Sequence, residues 1–593
     1  MINITVPAFQ GMAPRVSPAL LEPTQGVSVT GSMTSGELRP WRVPEFVEAC
    51  GADTWGIYLT PEGDWLTWDE PVQVVPGVQA NDAFGRLYYT RESGGLFVIS
   101  SMDDYTEFRA GVPKPAEPPT VAITGTGSGT VEDRVYIYSY VNDWGEEGAP
   151  SDPSEFHDWQ TGQTVKLSGF TPPPLGFKEV VAIRVYRMAV GDKGADWFFV
   201  AEFPAEDAAE EGYEFTDNVA ELALGEAIST QDYDIPQLDA RGLVSVGNGV
   251  LATFEGNEIA FSEPYLPYAW PDKFRQNVPG SVIALGQSAS SCVVLTNRNP
   301  HYIFLSHGSS AKLDPEEYGL YPLGEQTPCV SPYGVVSTEF GVIFPAPDGL
   351  RVLDGSGPSK LVTDKLVTAK EWTALFDPLN ALAAYHDGHY FGFVPGGGFA
   401  LHIRTGVLTW TGVTASAVHS DGLSLFLAVN DAIMEWEAGV GLLLGIFKSK
   451  VFRYPKPVNM SFVRVDSAYD DFFARLDRIL EDIRTANASM GRNVLSLATE
   501  SWMDHSVAGD NLNDLPYTGF DLAQVHLRVW GDGKLRYDRQ LPVSGAERLP
   551  MGYLAREWQF EILTPVHVKQ VSIGTSVRAM MGAGSVSAGG SNR

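Results

Sequence analysis

A chain of 593 residues is too long for one hydrophobic core, so about two to four domains are expected. Glycine (61) and proline (40), 11% aromatic residues and only 19% charged residues favour a β-protein rich in tight turns over a helical one. With 41 basic against 73 acidic residues the net charge is −32, and this argues against a protein that grips nucleic acid, which needs a cationic surplus to displace counterions from phosphates.

Cys50, Cys292 and Cys329 are far apart and odd in number, so neither a disulfide framework nor a zinc pattern is expected, which suits a reducing compartment. The opening MINITVPAFQ has no basic stretch leading into an apolar one, so no signal peptide is expected. The apolar run near Val440 to Phe447 is too short to span a bilayer.

Along the chain, residues 1–112 read as an N-terminal arm followed by short strands at Thr54 to Thr60, Asp64 to Trp68, Gly85 to Thr90 and Leu96 to Ile99. Pro113, Pro115, Pro118 and Pro119 form a stiff linker, because each proline fixes φ and removes a donor. Residues 113–234 then read as an immunoglobulin- or fibronectin-like sandwich, with alternating runs at Val135 to Val141, Thr164 to Leu167, Val181 to Arg187 and Trp197 to Glu202. Residues 235–445 carry Asn-Gly or Asp-Gly pairs at 248, 348, 354, 387 and 421 between short strands, the signature of repeated hairpins and of a β-propeller-like domain; a closed barrel or second sandwich pair is the competing architecture. In residues 446–593 one amphipathic helix is expected over Ala468 to Ala486, with Phe472, Phe473, Leu476, Ile479, Leu480 and Ile483 on one face, before a small polar tail from Gly582. The expected fold is mainly β: a propeller-like domain, an inserted sandwich and a mixed α+β C-terminal region.

Motifs that carry chemistry are sparse. Gly286-Gln287-Ser288-Ala289-Ser290 approaches a nucleophile elbow but lacks its last glycine, and no phosphate-binding loop occurs. His386, His389 and His402 could ligate a metal only on a suitable scaffold, and Asp387-Gly388 reads instead as a turn with solvated histidines on its flanks. Asp143, Glu146, Glu147 and Asp152 lack the spacing of a calcium loop and read as a solvated acidic loop. Trp65 with Trp68, and Trp144 with Trp159, could stack on sugars, but packing in a core or interface is the commoner fate of such residues. No catalytic residue, metal site or cofactor is therefore assigned, and a non-enzymatic protein is expected.

Several segments together resemble one family. Phe9-Gln10-Gly11-Met12-Ala13-Pro14 and Gly36-Glu37-Leu38-Arg39-Pro40 resemble the opening of the tail tubular protein B family, the tail nozzles of podovirus bacteriophages. Tyr138 to Ser151, Ser449 to Phe452, Pro455 to Phe462, Arg548 to Tyr553 and Glu557 to Glu561 are similar to segments of the same group, although the chain is shorter than the T7-type nozzle. The resemblance implies a structural virion protein: a homohexameric ring that meets the tail adaptor and tail fibres or a plug, retains genomic DNA and then passes it through its lumen. It also implies assembly in the host cytoplasm and residence in the virion tail, and it brings no catalytic residues. A host-recognition fibre or spike, or a glycan-binding propeller, is the alternative expectation.

Overall fold

Runs in which most side chains are apolar, broken every few residues by turn formers, cannot bury themselves singly and must pair and stack. In the computed structural model they do so as many small antiparallel sheets, and the chain is mainly β. The structure describes residues 2–468 and 525–577, apart from 34, 80–81, 192–193, 289–290, 308–309, 312–313, 356, 542–545, 551 and 553; it also describes 506–507 and 510–511. Of the expected helix from Ala468 to Ala486 only Ala468 is described, as the last residue of the strand Phe462–Ala468, and the rest of it and the tail from Gly582 lie outside the described residues.

Seven antiparallel sheets follow one another in chain order. The first is a hairpin, Gly56–Leu59 with Trp65–Trp68. Six groups of four strands follow, opening with Val72–Pro76, Arg241–Gly247, Val282–Ser288, Val336–Thr338, Leu382–His386 and Ala417–Ser420; five are four-stranded sheets, and the group from Leu382 is the end of an eleven-stranded sheet whose far end is the hairpin His526–Gly531 with Lys534–Gln540. The opening strand of each sheet touches that of the next, and Ala417–Ser420 of the seventh returns to Gly56–Leu59 of the first. The cycle is closed. Its closing sheet takes its outer strand, Glu45–Ala49, from the N-terminal part of the chain, paired antiparallel with Ala432–Glu435.

Burial on both faces drives the closure. In Ser291–Thr296 all six residues are buried. Cys292 and Val294 join Val250, Ala252 and Phe254 of the third sheet, whereas Val293 and Leu295 join Val342 and Phe344 of the fifth. Likewise Tyr88 points to the third sheet, and its neighbours Leu87 and Tyr89 to the first. Alternate residues of one strand thus serve two different neighbours.

Turn chemistry sets the hairpins. Asn248-Gly249 and Asp387-Gly388 both have positive φ at each position (53° and 70°; 44° and 75°), the conformation that two-residue hairpin turns require. Asp421-Gly422 belongs to a longer loop between Ala417–Ser420 and Leu425–Val429, and Asp354-Gly355 follows Gly349–Leu353 without a tight hairpin.

Between the second and third sheets residues 113–234 form a separate body of three sheets. Thr120–Thr124, Thr164–Ser168 and Phe215–Asp217 make the first, Tyr136–Asn142, Val180–Gly191 and Gly194–Pro204 the second, and Ser128–Arg134 with His157–Thr161 a two-stranded third. Tyr136, Tyr138, Tyr140, Ile183 and Val185 of the second meet Val121, Val165 and Leu167 of the first in a shared core. A buried ion pair, Arg187 Nη1 to Asp217 Oδ2 at 2.5 Å, also takes the Tyr136 hydroxyl at 2.7 Å.

The two ends of the chain build one further body. Asn3–Val6 pairs with His567–Gly574, and Gln25–Thr30 pairs with Gly445–Ser449. A contact from Thr30 to Trp410 makes this sheet continuous with the sixth sheet of the cycle. The fold also holds a short helix that the hydrophobic pattern did not predict, Ala369–Phe376, which buries Trp372 and Phe376 and starts at a capping box of Thr368 and Glu371.

One cluster fastens the inserted body to the cycle. Arg86, in the second sheet, donates to Asp82 at 2.9 and 3.0 Å and to Gln79 and Glu146, with the latter coming from the inserted body. Its guanidinium also lies over Trp144, 5.4 Å from the ring centre. Arg86 and Glu146 are almost fully buried, and burial pushes the Glu146 carboxyl above its ordinary value even beside that cation. Removing one partner leaves a buried charge without compensation. Arg86→Met should therefore cost about 3–5 kcal/mol in urea denaturation, and the double variant Arg86→Met/Glu146→Gln should recover most of that loss.

Candidate functional site

The residues singled out in the sequence go mainly to structural tasks. Glu146 and Glu147 are 7% and 8% exposed, so the expected solvated acidic loop is corrected. The turn after Tyr136–Asn142 carries Glu146 against Arg86 of the second sheet, while Glu147 accepts from Ser139, Arg184 and Tyr186 within the inserted body. Each acid has its own cation: Asp143 with Lys178 (3.5 Å), Glu146 with Arg86, Glu147 with Arg184 (2.7 Å) and Asp152 with Lys114 (2.6 Å). Glu147 also accepts from Tyr186 at 2.7 Å. Four carboxylates paired with four separate cations do not converge on one ion.

The histidines differ from expectation in burial, although the Asp387-Gly388 turn stands. His386 lies opposite His389, and His389 opposite His402, across the sixth sheet. His389 is only 7% exposed, which corrects its expected solvation: it packs against Trp41 at 6.0 Å and His402 at 4.8 Å between ring centres. Its Nδ1 meets the Asp387 carbonyl at 2.8 Å, while His402 Nδ1 meets the Thr405 hydroxyl at 2.8 Å. Among the described residues no group of three or more His, Cys, Asp or Glu is placed to hold a metal ion.

All four singled-out tryptophans pack. Trp65 meets Phe426 at 4.8 Å, Trp68 meets Tyr89 at 5.1 Å, Trp144 lies near Phe84 and Phe108, and the Arg134 guanidinium sits 4.0 Å over Trp159. Gly286 and Ser288 fall within the strand Val282–Ser288 and form no nucleophile elbow. Cys292 and Cys329 are buried, and burial raises both thiols to about 12.

The feature that pattern reading missed is a cavity of about 790 Å³ on one face of the cycle. Segments leading into the opening strands of five sheets line it: Trp55, Pro71, Tyr333, Leu382 and Ser416; the turns around Glu92, Pro395 and Asn430 complete it. It carries the carboxylates Asp69, Glu70 and Glu92, and no lysine, arginine or histidine lines it. Glu70 is held by Ser93, whose main-chain N–H and hydroxyl both donate at 2.8 Å. The hydroxyls of Ser331 and Ser416 donate to main-chain carbonyls, of Ala381 at 2.9 Å and of Thr54 at 2.7 Å, so neither is set against a base. Trp55 is 52% exposed at the rim. Such a surface can stack a planar or sugar face and attract a cation. Its residues lie up to nearly 380 positions apart in the chain, and no local signal joins them.

No family model and no curated protein matches the chain. Among solved structures it is similar to BamB from Moraxella catarrhalis (8% identity, 70% of this chain and 96% of that one, TM-score 0.28). It is also similar to PorZ of Porphyromonas gingivalis (10%, 82% and 72%, TM-score 0.24). A third likeness is to the extracellular domain of a putative hybrid two-component system of B. thetaiotaomicron (9%, TM-score 0.27). That match takes in 72% of this chain and spans only 41% of the sensor chain. Overlaps this low carry no statement about function.

Burial lowers the proton affinity of His301, His389 and His419 below the ordinary histidine value. The unfolded chain then binds protons near pH 6.5 that the folded one refuses, so the stability these groups contribute is present above pH 6.5 and is lost as the pH falls below it. The melting temperature should drop between pH 7.5 and 5.5, and the variant His389→Gln/His419→Gln should show a flatter drop in the same scan.

Proposed function

We propose that the chain is a structural subunit of a short-tailed bacteriophage tail, of the podovirus nozzle type, acting as a stiff wall segment of a homo-oligomeric channel. In this reading the closed cycle of seven sheets is a β-propeller whose first blade has two strands instead of four. The body at 113–234 is its inserted immunoglobulin- or fibronectin-like sandwich, and the body that joins Asn3–Val6 to His567–Gly574 is a platform.

The observation that carries the reading is the layout: a closed ring, one body fastened to it through buried ion pairs, and a third body in which Asn3–Val6 pairs with His567–Gly574. A propeller-like domain with an attached sandwich is what the family resemblance implies. It suits a part that works by shape, since several cores fastened together leave little freedom between them. The charge distribution adds support. Residues 45–444 hold 55 acidic and 20 basic residues, net −35, whereas the two end segments hold 18 and 21, net +3. A lumen faced by the acidic body would repel phosphates and let DNA slide. Among the described residues no helix is long and apolar enough to cross a membrane.

A second reading, a glycan-binding host-recognition protein, is favoured by one feature, the cavity with Trp55 at its rim. The two separate cleanly. A nozzle is found by mass spectrometry in purified virions, and labelling places it at the tail tip below the adaptor; its absence from virions rejects the proposal. A recognition protein retains host polysaccharide on a glycan array, and Trp55→Ala abolishes that retention.

A further inference from the structure

The first sheet of the cycle is incomplete, and we infer that its open strand, Trp65–Trp68, is the docking edge for the basic outer strand Lys534–Gln540 of a second copy of this chain. Each other member of the cycle contributes four strands, the sixth as the end of the eleven-stranded sheet, while this one has two. Both faces of its outer strand are already covered: Trp65 lies on Phe426 of the seventh sheet and Trp68 on Tyr89 of the second. Only the edge remains. Among the described residues, Trp65–Trp68 pairs with no strand but Gly56–Leu59, so a row of main-chain donors and acceptors faces outward with flanking sheets on either side.

Charge selects the occupant. From Arg42 to Arg86 the chain has no lysine or arginine between, and Glu62, Asp64, Asp69 and Glu70 flank the open strand. At the far end of the eleven-stranded sheet, Lys534–Gln540 is likewise a terminal strand, whose strand pairing among the described residues is with His526–Gly531 alone. It carries Lys534, Arg536 and Arg539 against one acid, Asp538, which pairs with Arg528 and His526 of the neighbouring strand, and Leu535 is 50% exposed. An acidic edge and a basic edge on one molecule, on different bodies, make a head-to-tail contact in which each copy uses one edge on either neighbour. Contacts of that kind close into rings when the rotation permits. The inference rests on the proposed oligomeric reading and supplies its interface.

Sedimentation velocity of the purified full chain tests it. Wild type should associate with rising concentration, and more weakly as salt rises. Glu62→Lys/Asp69→Lys and Lys534→Glu/Arg539→Glu should each weaken self-association at least tenfold, with unchanged thermal melting to show that the fold survives. Mixing the two variants places the reversed edges against each other and should restore association between them. Wild-type protein that stays monomeric, single variants that associate like wild type, or a mixture that fails to recover would each overturn the edge contact. The virion measurement is independent: protein present in the tail with unaffected variants keeps the nozzle reading and removes this interface, and charge-swap rescue without virion residence does the reverse.

Discussion

Burial on both faces of the same strand is the constraint on which the structure depends. Ser291–Thr296 has no polar face to offer to water, so its sheet needs a neighbour on each side. A row of such sheets has two raw ends unless it closes. Closure is reached at the seventh member, where the hairpin Gly56–Leu59 and Trp65–Trp68 stands between Phe426 and Tyr89. The seven apolar seams are then all occupied, and the return strand Glu45–Ala49 ties the last sheet to the beginning of the chain.

Closure also explains the attachments. The inserted body leaves the ring after Phe108–Arg109 and returns at Arg241–Gly247, so two covalent links already restrict it. Buried charges turn restriction into a fixed angle. A salt bridge at this depth contributes less to net stability than its Coulomb energy suggests, because both ions lose their water. Its geometric demand is nevertheless strict: Arg86 has to meet Asp82, Gln79 and Glu146 together, while Lys178 meets Asp103 beside Trp144. The pairing of Asn3–Val6 with His567–Gly574 brings the two ends of the described chain together.

Much of the strand content was legible. Tyr136 to Asn142, with aromatic residues at every second position, and the Asn248-Gly249 and Asp387-Gly388 turns carry their conformation in local chemistry. Other features were not. The number of sheets in the ring was hidden because doubly buried strands read as continuous apolar runs without a repeat to count. The helix Ala369–Phe376 was missed although Thr368-Ala369-Lys370-Glu371 spells a capping box, since its apolar face holds little beyond Trp372 and Phe376. The acids at 146 and 147 were misread as solvated, because their cations come from Arg86, about 60 positions earlier, and Arg184, about 40 later. His389 was misread in the same way, its burial coming from Trp41 on a distant segment.

By itself the sequence determined that the chain is built mainly of strands, where several of its tight turns fall and that its summed charge is strongly acidic, because these follow from local backbone preference and from composition. Only the tertiary structure decided how many sheets close the ring, which carboxylates lie buried against arginine, and which strand edges stay open. Those depend on contacts between residues tens to hundreds of positions apart, and no local pattern encodes them.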